Sequence, residues 1–142
     1  MQTMTPDEIR DFLLTGTRTG KLASVRPDGR PHAAPVWFLL DGEDIICTTW
    51  HESVKARNIR HNPQVSFVVD DETPPFAFVI VEGTAVLEDN PDALRQWATR
   101  IGGRYMGEDQ AEAFGRRNSV PGELVVRLTP TKIIAQKDLA GW

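Results

Sequence analysis

Short runs in which apolar and polar positions alternate dominate this chain, and only a few stretches keep the three-and-four spacing of a helix. The first helical stretch follows Thr5-Pro6-Asp7-Glu8, which offers an N-cap, a proline at the first helical position and a glutamate at the third, together a capping box. Ile9, Phe12 and Leu13 then share one face, and Gly16 stops the helix. From Lys21 the pattern turns extended: residues 22–25 and 32–40 flank the turn Arg26-Pro27-Asp28-Gly29 as a hairpin, and Asp41-Gly42 leads into a third antiparallel strand over 44–49. Pro35 cannot donate to a ladder, so its strand is expected to bulge there or to lie at an edge, with backbone groups near Val36 free. Ser53 caps a brief helix that Asn62-Pro63 ends, and residues 65–69 are strand-like. One long strand over 76–87, bent at Gly83, follows the polar loop 70–75.

Asn90-Pro91-Asp92 caps the longest helix, whose Leu94, Trp97, Ile101 and Tyr105 form an apolar stripe that Gly102-Gly103 weakens near its end. A short helix over 109–117 and two strands, 124–128 and 132–135, separated by Thr129-Pro130, complete the pattern. About six short strands around one long helix predict a mainly β fold, a closed or nearly closed antiparallel barrel in one domain spanning 1–142. A parallel doubly wound sheet is excluded, because no Gly-x-Gly-x-x-Gly follows a strand and strands do not alternate with long helices.

Composition narrows the partners. With 40% hydrophobic and 25% charged residues the chain is globular, and a net charge of −4 supplies no basic field for nucleic acid. Acidic residues Asp7, Glu8 and Asp11 interrupt the N-terminal apolar segment, and no apolar run reaches the ~18 residues of a membrane span, which predicts a cytoplasmic protein without membrane contact. Cys47 is the single cysteine, so disulfides within the chain and multi-thiolate metal sites are excluded, and its neighbours Ile45 and Ile46 mark it as a buried structural thiol. His32, His51 and His61 lack metal-binding spacing, the serines lack a hydrolase elbow, and Asp70, Asp71 and Glu72 read as a solvated loop. No metal site and no catalytic constellation emerge.

The stretch from Thr48 to Asn58 carries more information, since it leaves a strand end and enters a helix. Free amides and the positive dipole end at a helix N-terminus favour an anion, and Ser53 and Lys55 add a hydroxyl and a charge. An ordinary capped surface helix fits the spacing equally well. Trp37, Phe38 and Trp50 supply flat apolar surface nearby if the second and third strands pair, although such residues in strands more often build cores or interfaces.

Taken in series, Gly20-Lys21-Leu22-Ala23-Ser24-Val25, Asp28-Gly29-Arg30-Pro31, Pro35-Val36-Trp37-Phe38, Ser53-Val54-Lys55-Ala56-Arg57-Asn58-Ile59-Arg60, Asn62-Pro63 and Val81-Glu82-Gly83-Thr84-Ala85 resemble, in order and spacing, the flavin/deazaflavin oxidoreductases related to pyridoxamine 5′-phosphate oxidase. The resemblance covers nearly the whole chain. It implies the six-stranded FMN-binding split β-barrel, a homodimer with cofactor sites between subunits, and coenzyme F420 or FMN as cofactor. By position, Pro35, Val36, Trp37 and Phe38 would line the ring and offer backbone hydrogen bonds. Thr48, Thr49, Ser53, Val54, Lys55, Arg57 and Asn58 fall in the phosphate and ribityl segment, and Phe76 and Ala77 would approach from the partner subunit. The pattern departs at Ser53, where some deazaflavin-binding relatives carry a basic residue, and at Gln136-Lys137-Asp138, where many carry a tryptophan-aspartate pair. The expected activity is hydride transfer between F420 and a small molecule, with an FMN-dependent oxidoreductase and a non-catalytic flavin- or haem-binding carrier as the alternatives.

Overall fold

A computed structural model of the chain describes residues 1–141. After the two-residue strand β1 (Gln2–Thr3), helix α1 (Pro6–Leu14) opens with the capping box: the Thr5 hydroxyl accepts the Glu8 N–H at 3.2 Å and the Glu8 carboxylate accepts the Thr5 N–H at 3.0 Å. Strands β2 (Gly20–Val25), β3 (Pro31–Val36), β4 (Leu39–Asp41) and β5 (Asp44–Trp50) follow, then helix α2 (Val54–His61), capped by the Ser53 hydroxyl. Strands β6 (Gln64–Asp71) and β7 (Ala77–Glu88), helix α3 (Pro91–Met106), a single 3₁₀ turn at Glu108–Gln110, helix α4 (Ala111–Arg117) and strand β8 (Glu123–Lys137) complete the chain.

All strands pair antiparallel in the order β3-β2-β6-β7-β8-β5-β4, with β1 added beside β8. The two ends of that path, β3 and β4, are consecutive in the chain and joined only through Trp37 and Phe38, so the sheet rolls round on itself and is split at this corner. Its inner face gathers Leu22, Ile45, Cys47, Phe67, Val79, Val81, Val126 and Leu128 into one core. There Phe38 meets Phe67 edge to face, 5.0 Å between centroids. On the outside, α3 lays Leu94, Trp97 and Ile101 on Ile46 and Val125, which is why both faces of β5 are apolar. Burial pushes the Cys47 thiol up to about 12, in keeping with a structural role.

Four details differ from the sequence reading. Among the described residues eight strands form where about six were expected, the additions β1 and β4 being two and three residues long. The expected strand over 32–40 breaks at Trp37-Phe38 because the Phe38 N–H and carbonyl leave the sheet for side chains of α3. Thr129-Pro130 does not divide β8: Glu82 faces Lys132 and Gly83 faces Pro130, so Thr131 is a bulged residue and the strand continues past the proline. A side chain at Gly83 would place its Cβ 2.2 Å from the Thr129 carbonyl oxygen, so the expected bend falls where β8 comes closest. Finally, Gly102 and Gly103 do not weaken α3, which runs through them; a Cβ at Gly102 would stand 2.5 Å from the Phe114 Cβ, so these glycines admit α4 at close range. As expected, β3 is the terminal strand and Pro35 lies at an edge. Among the described residues, no helix is long and apolar enough to cross a membrane.

Candidate functional site: a cleft at the split corner

Beside the break between β3 and β4 lies a cleft of about 310 Å³. Its floor is the end of β3, Pro35 and Val36, followed by Trp37; Thr48 comes from β5, Lys55 from α2, Ala98 and Ile101 from α3, and Asn118 and Glu123 from the segment that leads into β8. The site thus exists only because the sheet rolls far enough to bring β3, β5 and the start of β8 under α3.

The corner is held rigidly. Trp37 stacks on Tyr105 with 5.1 Å between ring centroids and 4° between planes, and Phe114 packs against it at a tilt. The Tyr105 hydroxyl accepts the Phe38 N–H at 3.2 Å and donates to the Arg18 carbonyl at 2.8 Å. Arg104 donates to the carbonyls of Phe38, Leu13 and Gly16 at 2.7, 2.7 and 3.1 Å. Burial raises the Tyr105 phenol and lowers the Arg104 guanidinium, the expected directions for an acid and a cation packed away from water. An indole clamped in this way lines the cleft with a ring held in one orientation.

At the other end, α2 begins beside Thr48. Ser53 accepts the Ala56 N–H at 3.2 Å and shares a 2.8 Å hydrogen bond with Thr49, so one free amide is already capped while those of Val54 and Lys55 have no intrahelical acceptor. The Lys55 ammonium has no ion-pair partner among the described residues. Glu123 lines the same cleft and has no ion-pair partner among the described residues either; burial raises its carboxyl and the nearby His51 pulls it back. His32, on β3, has a buried Nδ1 without a hydrogen-bond partner, and its imidazole is pushed toward the neutral form by burial and by the charges of Arg26 and Lys55. Amides, an ammonium and a clamped indole make a donor set suited to an anion with an attached flat ring.

Of the residues expected at the site, Pro35, Val36, Trp37, Thr48 and Lys55 converge on the cleft. Phe38 does not: it is 0% exposed in the core and both its backbone groups are spent on Tyr105 and Arg104. Its neighbour Trp37 turns outward because successive side chains of an extended chain point to opposite sides. Asn58 is 2% exposed and its amide donates to the Ser24 hydroxyl at 3.0 Å, tying α2 to β2. Thr49 is buried on the Ser53 hydroxyl, and Val54 and Arg57 are exposed on α2. Phe76 and Ala77 line a different cleft with Asp70, Asp71 and Leu139, three strands from β3 in the sheet order. Sequence reading missed Asn118, Glu123, Ala98 and Ile101 as lining, and Arg104 and Tyr105 as supports. The one available signal was Tyr105 at the end of the α3 stripe, a phenol that needs a partner once buried.

A rolled antiparallel sheet split at one corner, with its cleft beside that split, defines the split β-barrel class. The sequence profile described as pyridoxamine 5′-phosphate oxidase matches residues 5–137, and the chain belongs to that family. It is 30% identical in sequence to the conserved hypothetical protein Rv2991 from Mycobacterium tuberculosis, whose crystal structure superposes with a TM-score of 0.85 over 96% of this chain and 88% of that one. An F420 reductase of known structure is 28% identical, with a TM-score of 0.68 over 87% of this chain and 94% of that one. The 5a,11a-dehydrotetracycline/5a,11a-dehydrooxytetracycline reductase of Streptomyces rimosus is 38% identical over 74 residues, 46% of this chain and 52% of the reductase, so the match spans about half of that relative's length.

Proposed function

We propose that this chain is a flavin- or deazaflavin-dependent oxidoreductase that transfers a hydride between coenzyme F420 and a small-molecule substrate. The carrying observation is the Lys55 ammonium at the start of α2, without an ion-pair partner among the described residues and sharing one cleft with the clamped Trp37 indole. Similarity to an F420 reductase and to a dehydrotetracycline reductase supports the same reading. When bound, the cofactor would supply the hydride chemistry. The chain's own residues have simpler tasks. Lys55 and the first amides of α2 bind the phosphate, Trp37 and Val36 orient the ring, and the free edge of β3 offers backbone groups to its polar rim. No protein acid or base is needed.

A homodimer belongs to this reading. A cleft of about 310 Å³ holds only part of such a cofactor, and Phe76 and Ala77 lie too far along the sheet to help within one subunit. On the outer face of the sheet, away from α3, Val68 pairs with Ile80 and Ile80 with Ile134, an apolar row across three strands with Ile134 exposed. A second copy on this face would bury that row. Ile134→Glu is expected to shift the molecular mass in light scattering from dimer to monomer; a wild-type monomer at high micromolar concentration overturns the dimer.

The test of the function is a parallel titration of cofactor-free protein with FMN and F420, followed by tryptophan fluorescence. Micromolar or tighter binding of at least one, with quenching lost in Trp37→Phe, is the expected result. Absence of binding by both defeats the oxidoreductase reading and leaves the barrel.

A further inference from the structure

We infer that Glu123, which shares the cleft with Lys55, sets the charge of the phosphate this site accepts: a phosphate esterified on both sides and carrying one negative charge is favoured over a terminal phosphate carrying nearly two. This inference rests on the cofactor reading above and chooses between its two candidates, since the phosphate of F420 is a diester within a longer tail whereas that of FMN is a terminal monoester.

The argument is one of charge balance. Lys55 and Glu123 are the two charged residues that line the cleft, and the remaining lining, from Val36 and Trp37 to Thr48 and Asn118, is neutral. Neither charge is ion-paired among the described residues. Each is fixed on a separate element, Lys55 in the first turn of α2 and Glu123 at the first position of β8, opposite Trp50 in the β5–β8 ladder. Three further cations stand outside the lining: Arg60 is bonded to the His51 carbonyl and Arg26 to that of Pro31, while Arg57 is exposed on α2. His51 lies beside Glu123, with its Nδ1 against the Gly122 carbonyl and its Nε2 3.5 Å from the Glu52 carboxylate. With Lys55 and Glu123 both charged, a bound monoanion leaves the cleft one negative charge in excess. A dianion leaves two, beside a half-buried carboxylate where water screens less than at an open surface. Burial raises the Glu123 carboxyl, which marks that surrounding as partly desolvated.

The experiment titrates wild type, Glu123→Gln and Glu123→Asp with FMN, F420 and riboflavin at pH 8, above the second phosphate ionisation near about 6. Repulsion from Glu123 scales with the charge on the phosphate beside it, so the gain for FMN in Glu123→Gln should be roughly the square of the gain for F420, about tenfold against about threefold. Riboflavin should not respond, and Glu123→Asp should keep the wild-type order. If Glu123→Gln fails to fold, Glu123→Ala carries the test, with the same larger gain for FMN than for F420 expected. Equal factors for the two cofactors, or no change for either, overturn the role of Glu123 while the oxidoreductase reading stands. No binding of any cofactor to wild type overturns that reading and the inference with it.

Discussion

Arg104 and Lys55 are both cations near the split corner, and the structure uses them in opposite ways. The Arg104 guanidinium is spent entirely inside the molecule: it bridges the carbonyls of Leu13, Gly16 and Phe38 and lies 4.7 and 4.9 Å from the ring centroids of Phe38 and Tyr105. Lys55 makes no ion pair among the described residues and lines a cleft. A planar fork with five donors can saturate the carbonyls that a broken strand leaves behind, whereas a single ammonium at a helix start is worth most to an incoming anion. A charge engaged through all three of its nitrogens builds the site; a charge left open is available to serve it.

That contrast breaks most readily at Arg104. Arg104→Ala strips partners from three carbonyls and should lower unfolding stability by about 3 kcal/mol or more, measured by urea denaturation, with any loss of cofactor binding following from the unlocked corner. A loss below about 1 kcal/mol would show that water replaces the guanidinium freely. Lys55→Ala should do the reverse. Stability should stay within about 0.5 kcal/mol of wild type while cofactor affinity falls by about 1.5–3 kcal/mol, ten- to hundredfold. Equal losses in both assays would make Lys55 a second Arg104. Tyr105→Phe keeps the stack on Trp37 and removes the hydroxyl between Phe38 and Arg18, so about 1 kcal/mol of stability should go while tryptophan emission barely moves.

The smallest effect tests how far Lys55 reaches into the barrel. Its charge opposes the burial that holds the Cys47 thiol up near about 12 but does not overcome it, so a thiol reagent at pH 8 should label neither wild type nor Lys55→Ala until the chain unfolds. An unfolded thiol titrates near 9. Cys47 therefore contributes stability in full below pH 9 and loses it as pH rises toward about 12, because the unfolded chain releases that proton first. Stability that rises over that window would contradict a buried thiol.

Most of the secondary structure was legible because its signals are local. The Thr5–Glu8 capping box, the Ser53 and Asn90 caps, the stripe on α3 and the turn at Asp28-Gly29 depend on residues a few positions apart. The cleft was legible in part. Trp37, Thr48 and Lys55 lie on elements whose ends the sequence marks, but Glu123 and Asn118 reach the site from more than sixty positions away along the chain, through the β5–β8 pairing.

By itself, the sequence determined the order of elements, their caps, the buried character of Cys47 and the family, since each rests on side-chain type and short spacing. Only the tertiary structure decided that Phe38 faces the core while Trp37 faces the cleft, that Asn58 is held by Ser24, and that β8 runs unbroken past Pro130. The physical reason is the same in each case. A polar group or a large ring is assigned a place by whichever partner the rolled sheet brings within reach, and α3, β2 and the bulge opposite Gly83 are all distant in sequence from the residues they position.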